Sequence, residues 1–232
     1  NRFFSREQLK NDLKRKSLHS ALNKVVTSGT SIFLTLASAM ILARLMAPEV
    51  FGLFAMVLSV TEIARYMLEI GLGTATVQKE NITQEEVSAL FWINFIIGFL
   101  LMAAVAAISP AVAWFYGDTR LINICLVLSL TFLFRGIVVQ HRSLLERQMQ
   151  FGYLGIVNIA SNFLSIVVAV LLAYYGFGVW SLVWREIVFV ILYDAGIWLF
   201  CRWIPAYPKL NSDVRSSLKF GIDLSGLTLV EP

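Results

Sequence analysis

No charged side chain occurs between Lys24 and Arg44, and five more long, predominantly apolar runs follow before residue 202. A bilayer core of about 30 Å takes roughly 20 apolar residues of helix to cross, so Val25–Ala43 is the length of one crossing. The later candidates are Phe51–Ile70, Ser88–Trp114, Leu121–Gln140, Tyr153–Tyr174 and Trp180–Cys201. Only 15% of the residues are charged and 58% are hydrophobic, against about 25% charged in soluble domains. The alternating segments of about ten residues that build a membrane barrel are missing, and lipid accepts only helices or closed barrels. The expected fold is an all-α integral membrane protein with a lobe of six transmembrane helices.

The junctions alternate in character. Ala47-Pro48-Glu49, Tyr116-Gly117-Asp118 and Tyr175-Gly176-Phe177-Gly178 are short turns, whereas Gln78 to Glu86, His141 to Gly152 and Arg202 to Lys219 are longer and polar. Basic residues collect on one parity: Arg2, Arg6, Lys10, Lys14, Arg15, Lys16 and Lys24 before the first span, then Lys79, Arg142, Arg147, Arg202, Lys209, Arg215 and Lys219. The other parity has Arg44 and Arg120. The positive-inside rule therefore predicts a cytoplasmic N-terminus, with Trp114, Tyr116, Tyr174, Tyr175 and Trp180 forming the outer aromatic belt. Residues 1–24, in which Phe3, Phe4, Leu9, Leu13 and Leu18 alternate with basic residues, read as an amphipathic cytoplasmic segment on anionic headgroups. They do not read as a signal peptide, because the basic region and the apolar run are too long and no small-residue cleavage site follows. The absence of an initiating Met suggests trimming. The remaining divisions are a lobe over 25–201, a cytoplasmic linker over 202–219 and the start of a truncated seventh helix over 220–232.

Several classes of chemistry lack their signatures. Cys125 and Cys201 fall near opposite faces of the membrane, so no disulfide is expected. His19 and His141 are isolated and read as interfacial polar residues, so no metal site, catalytic residue or cofactor is expected. The basic excess follows topology and carries no recognition motif, so nucleic acid is not an expected partner.

Charges inside the spans are more informative. Glu62, Arg65 and Glu69 are spaced three and four apart and share one helical face. Three central charges cost about +8 kcal/mol on insertion scales, and roughly a dozen apolar residues return only about −5. That face needs partner helices or a wet cavity. Arg135 has no acid within four residues and must find an anion elsewhere, either a substrate phosphate or a carboxylate of the second or sixth span. Arg185, Glu186 and Asp194 sit in the sixth span. Arg44 and Arg185 lie nearer the outer face and Arg65 and Arg135 deeper toward the cytoplasm, a ladder along which a phosphate could pass. Glu62, Glu69, Glu186 and Asp194 outnumber Arg65, Arg135 and Arg185, so this half has no net positive lumen. Uncharged stripes recur at Thr27, Ser31, Thr35 and Ser38, read as packing, and at Asn158, Ser161, Asn162 and Ser165, which with Asn94 suit a cavity for sugar hydroxyls.

The run Ile41-Leu42-Ala43-Arg44-Leu45-Met46-Ala47-Pro48-Glu49-Val50-Phe51-Gly52-Leu53-Phe54-Ala55-Met56 resembles the first helical hairpin of polysaccharide transporters, the oligosaccharide flippases of the multidrug/oligosaccharidyl-lipid/polysaccharide superfamily. Gly71-Leu72-Gly73-Thr74-Ala75, Leu90-Phe91-Trp92-Ile93-Asn94, Leu144-Leu145-Glu146-Arg147-Gln148-Met149-Gln150-Phe151 and Gly176-Phe177-Gly178-Val179-Trp180 follow in the family's order. The resemblance covers about Ser17 to Lys219 and rests on the ordered set. It implies the N-terminal half of a two-lobe, multidrug-extruder-like fold around a cavity that opens alternately to each side. Its cargo would be undecaprenyl-diphosphate-linked oligosaccharide, and its missing partner a C-terminal lobe of six helices. The substrate-binding candidates are then Arg135, Arg65, Arg185, Arg44, Asn158, Asn162 and Asn94, and the coupling candidates Glu62, Glu69 and Asp194. A drug or cation antiporter of the same superfamily would be expected to place an acid in its first or seventh helix, and this first helix has none. An intramembrane glycan polymerase or ligase would show a large outward loop, and the three outward turns are short.

Overall fold

In the computed structural model the described residues are 13–69, 72–79 and 82–207, with side-chain detail from residue 25 onward except at positions 67, 69, 72, 75 and 78. They form seven helices and no strand: α1 (Leu13–Leu45), α2 (Pro48–Glu69), α3 (Leu72–Gln78), α4 (Gln84–Tyr116), α5 (Arg120–Arg147), α6 (Phe151–Tyr174) and α7 (Val179–Cys201). Four segments are long and apolar enough to cross a membrane: Val25–Leu45, Gln84–Tyr116, Arg120–Arg147 and Phe151–Tyr174. The chain is an α-helical, multi-pass membrane protein.

Most helices outrun the apolar stretches that announce them, because backbone hydrogen bonding continues into polar sequence once an end is capped. α4 begins at Gln84 because Thr83 and Glu86 form a reciprocal capping box. It ends at Gly117, whose φ of 71° is the left-handed conformation that a helix terminator needs. In the turn that follows, Arg120 bonds both carboxylate oxygens of Asp118 and holds that carboxyl below its usual range. α2 opens on Pro48, a residue suited to a first turn whose N–H groups have no helical partner. α1 starts at Leu13 and runs unbroken into the first apolar stretch, so residues 13–24 are continuous with it. Residues 208–232, including the expected start of a seventh span, lie outside the described residues.

Up-and-down packing brings alternate ends together. One end holds Leu53 of α2, Val112 of α4, Leu121 and Ile124 of α5 and Val183 of α7. The opposite end holds Val87 and Leu90 of α4, Leu144 and Leu145 of α5, Val157 of α6 and Ile197 of α7. α4 lies most closely on α5, where a Cβ on Gly98 would stand 2.6 Å from the Phe132 carbonyl oxygen and one on Gly136 2.7 Å from that of Asn94. Only glycine permits the approach.

α1 packs on α6, while α2 packs on α5, α4 and α7. The first two helices therefore diverge from their shared end, where Met46, Val50 and Phe51 meet, and leave room between them at the other. Side chains on the outside are apolar, among them Ile32, Phe33, Leu36 and Met40 of α1 and Phe99 and Leu100 of α4. Trp114, Tyr174 and Tyr175 are well exposed, as an interfacial belt requires, but Trp180 packs partly into the core.

One expectation needs correction, and one element is added. His141 is not interfacial: it is fully buried, stacks on Trp198 at 4.1 Å and directs Nε2 to the Trp203 carbonyl at 3.1 Å. The segment Leu72–Gln78, between the second and third apolar runs, is a helix of its own. Buried Arg147 satisfies its last carbonyls, donating from Nη1 to Thr76 O at 2.9 Å and also to Lys79 O, and Thr76 Oγ1 donates to Gln140 Oε1 at 2.6 Å. Cys125 and Cys201 are free and buried.

Candidate functional site

The divergence of α1 and α2 leaves a cavity of about 700 Å³ in the half of the bundle that contains α3. Glu62 and Arg65 of α2, Thr74 of α3, Arg135, Arg142 and Glu146 of α5, Asn158 of α6, and Glu186, Tyr193 and Asp194 of α7 line it. The charged face of α2, which lipid would reject, turns into this space.

The charges there are organised as pairs. Arg65 Nε donates to Glu62 Oε2 at 3.0 Å along α2, and Arg142 Nε donates to Glu146 Oε1 at 2.8 Å along α5. Arg135 finds its anion across the bundle, donating from Nη2 to Glu186 Oε1 of α7 at 2.8 Å. Arg65, Arg135 and Arg142 have further polar contacts as well. Asp194 differs from the other lining carboxylates, because it is buried and its Oδ2 accepts no hydrogen bond. A charge left this way in low dielectric is costly. Relief comes from a proton, a cation or water.

The sequence candidates therefore divide. Arg65, Arg135, Asn158, Glu62 and Asp194 share the cavity. Arg44 does not, because it is exposed in the last turn of α1 at the far end. Arg185 is half-buried beside Glu186 on α7 yet off the cavity wall, since adjacent helical residues point about 100° apart. Asn94 is sealed in the α4–α5 crossing with both side-chain polar atoms unbonded, and Asn162 is buried in α6 away from the cavity. The side chain of Glu69 lies outside the described residues.

Arg142, Glu146 and Tyr193 line the cavity without being singled out by the sequence. The first two carry a legible signal, an oppositely charged pair at i and i+4, but they sit in a stretch that reads as a polar junction. Tyr193 carries none beyond its position next to Asp194.

The chain belongs to a family described as polysaccharide biosynthesis protein, whose model matches residues 41–231. Among its relatives is a succinoglycan biosynthesis transport protein of Rhizobium meliloti, ExoT, 29% identical over 208 residues, which cover 89% of this chain and 41% of that protein. The teichuronic acid biosynthesis protein TuaB of Bacillus subtilis is 33% identical over 105 residues, 45% of this chain and 22% of the relative. The lipopolysaccharide biosynthesis protein WzxC of Escherichia coli is 24% identical over 146 residues, 63% of this chain and 30% of the relative. The chain thus spans less than half the length of these relatives. No solved structure matches it significantly.

Proposed function

We propose that this chain is the six-span N-terminal lobe of a flippase. It moves undecaprenyl-diphosphate-linked oligosaccharide units outward across the bacterial inner membrane, with its N-terminus cytoplasmic, for assembly of lipopolysaccharide, capsule or exopolysaccharide. The observation that carries the reading is the ion-paired cavity enclosed by helices whose outer faces are apolar. α2 and α7 are counted as spans because their 22 and 23 residues reach about 33 Å, and because Glu62, Arg65, Glu186 and Asp194 turn inward. Membership in the polysaccharide biosynthesis family and the transport protein among its relatives support the cargo.

A diphosphate entering this space must exchange its hydration for fixed donors, and guanidinium groups match phosphate oxygens in a bidentate fork. The arginines are already held by carboxylates, so binding is an exchange of partners. Glu62 and Glu186 keep Arg65 and Arg135 oriented and hydrogen-bonded while the site is empty, and phosphate oxygens displace them as the headgroup arrives. The lipid tail stays in the bilayer. A second lobe closes the cavity, and rocking of the two lobes exposes it to the other face. Glu62, Glu69 and Asp194 are the groups whose protonation would release arginine or alter cavity charge during the cycle.

A cation antiporter of the same superfamily is the second reading. One observation favours it: the described lining has Glu62, Glu146, Glu186 and Asp194 against Arg65, Arg135 and Arg142, an excess of one carboxylate. The test is Arg135→Ala in the full-length protein. The flippase reading expects export of lipid-linked oligosaccharide to be lost with membrane insertion retained. Normal delivery by the variant removes Arg135 from the site, and drug or cation efflux in place of glycan export favours the antiporter.

A further inference from the structure

A second chamber, of about 410 Å³, lies between α1 and α6 and shares Arg142, Glu146, Asn158 and Tyr193 with the main cavity. The two adjoin at this shared wall, where Arg142 pairs with Glu146. Their walls differ chemically. Beyond that shared boundary the side chamber has no ionised group among the described residues; it offers the hydroxyls of Thr27, Ser28 and Ser31, the side chains of Ile32 and Leu154 and the ring of Phe151, joined by the amide of Asn158 and the ring of Tyr193.

That lining selects against most ligands. Among the described residues a phosphate finds no cation beyond Arg142, and an acyl chain would strip water from hydroxyls and an amide without replacing their hydrogen bonds. A sugar ring suits both features, because its hydroxyls pair with short polar side chains while its C–H faces pack against aromatic rings. The volume is within the usual range of small-molecule sites, about 300–1,000 Å³. Ser31 Oγ donates to Asn158 Oδ1 at 2.6 Å, which ties α1 to α6 and leaves the Asn158 amino group to donate elsewhere. Beside this pair the helices nearly touch, since a Cβ on Gly155 would stand 2.4 Å from Thr27 Oγ1. The chamber wall is thus fixed by packing.

We infer that this chamber seats the sugar ring attached to the carrier diphosphate, with Ser31 and Asn158 bonding its hydroxyls and Phe151 and Tyr193 flanking it. The assignment rests on the carrier reading above and adds to it a selectivity filter for the first sugar, next to the arginines that take the diphosphate.

The experiment uses purified full-length protein with two probes, undecaprenyl diphosphate and undecaprenyl diphosphate bearing a single hexose, competed against each other by native mass spectrometry. Wild type is expected to prefer the glycosylated lipid, and Ser31→Ala and Asn158→Leu each to cut that preference about tenfold, the size of one lost hydrogen bond. Ser31→Ala removes one oxygen atom, so the test does not depend on the bulkier variant folding. Equal affinity of wild type for the two lipids, or an unchanged preference in both variants, overturns the chamber assignment and leaves the carrier reading standing. Failure of wild type to bind either lipid overturns both.

Discussion

A guanidinium 2.8 Å from a carboxylate, with 22% of one side chain and 36% of the other exposed, sits in a contact that can be exchanged as well as kept. Partly exposed pairs contribute about 1 kcal/mol or less, so the fold does not depend on Arg135 and Glu186 staying together. Stability and transport therefore separate in a charge-swap cycle. Arg135→Glu alone places two carboxylates face to face and should lower the unfolding temperature in detergent. Adding Glu186→Arg restores an attractive pair and should recover that temperature. Export should stay lost, because the guanidinium now projects from α7 and a diphosphate meets a carboxylate on α5. Recovered export in the swapped protein makes the pair a structural strut.

At the scale of helices, the α4–α5 crossing brings two backbones into direct contact and its glycines are the cause. Gly136→Ala must push apart two backbones that have 2.7 Å for the new carbon, a strain of about 1–3 kcal/mol. Gly52→Ala on α2 meets nothing within 4 Å and should stabilise by about 0.5–1 kcal/mol through the lost flexibility of glycine. Opposite shifts of the detergent unfolding midpoint in the two variants are expected; shifts of the same sign contradict the packing. Four of the six expected spans and the glycine-bearing turns near Gly117 and Gly176 were legible because hydropathy and turn chemistry act locally. The capping box at Thr83 and Glu86 was present in the sequence too, although apolarity alone starts that helix four residues late. α3 was not legible: Leu72–Gln78 is too short for a period, and Arg147, 68 to 71 residues further on, satisfies its end. The same limit hid the partner of Arg135, which is 51 residues away, and put Asn94 in the cavity when packing seals it between helices.

For the molecule as a whole, the charge pattern and the packing specify the same two ends. Tyr175, 73% exposed, stands at the end bearing the aromatic belt, and Tyr207, 90% exposed, at the opposite end beside the basic junctions. Residues 202–207 are fastened there: Trp203 Nε1 donates to Gln84 Oε1 at 2.7 Å, Trp92 Nε1 to Ala206 O at 3.0 Å and Ala206 N to Ser88 Oγ at 3.0 Å. Position 207 therefore reports the side of the membrane on which α4 begins. Cys125 and Cys201 are 0% exposed, so these two stay silent in thiol labelling. In intact spheroplasts, a membrane-impermeant maleimide should modify Tyr175→Cys and leave Tyr207→Cys untouched until the membrane is permeabilised. The reverse pattern would place the basic junctions outside, against the positive-inside bias. The cavity, which lies nearer those junctions than the belt, would then face the periplasm in this conformation, and the cargo would have to load from the wrong side.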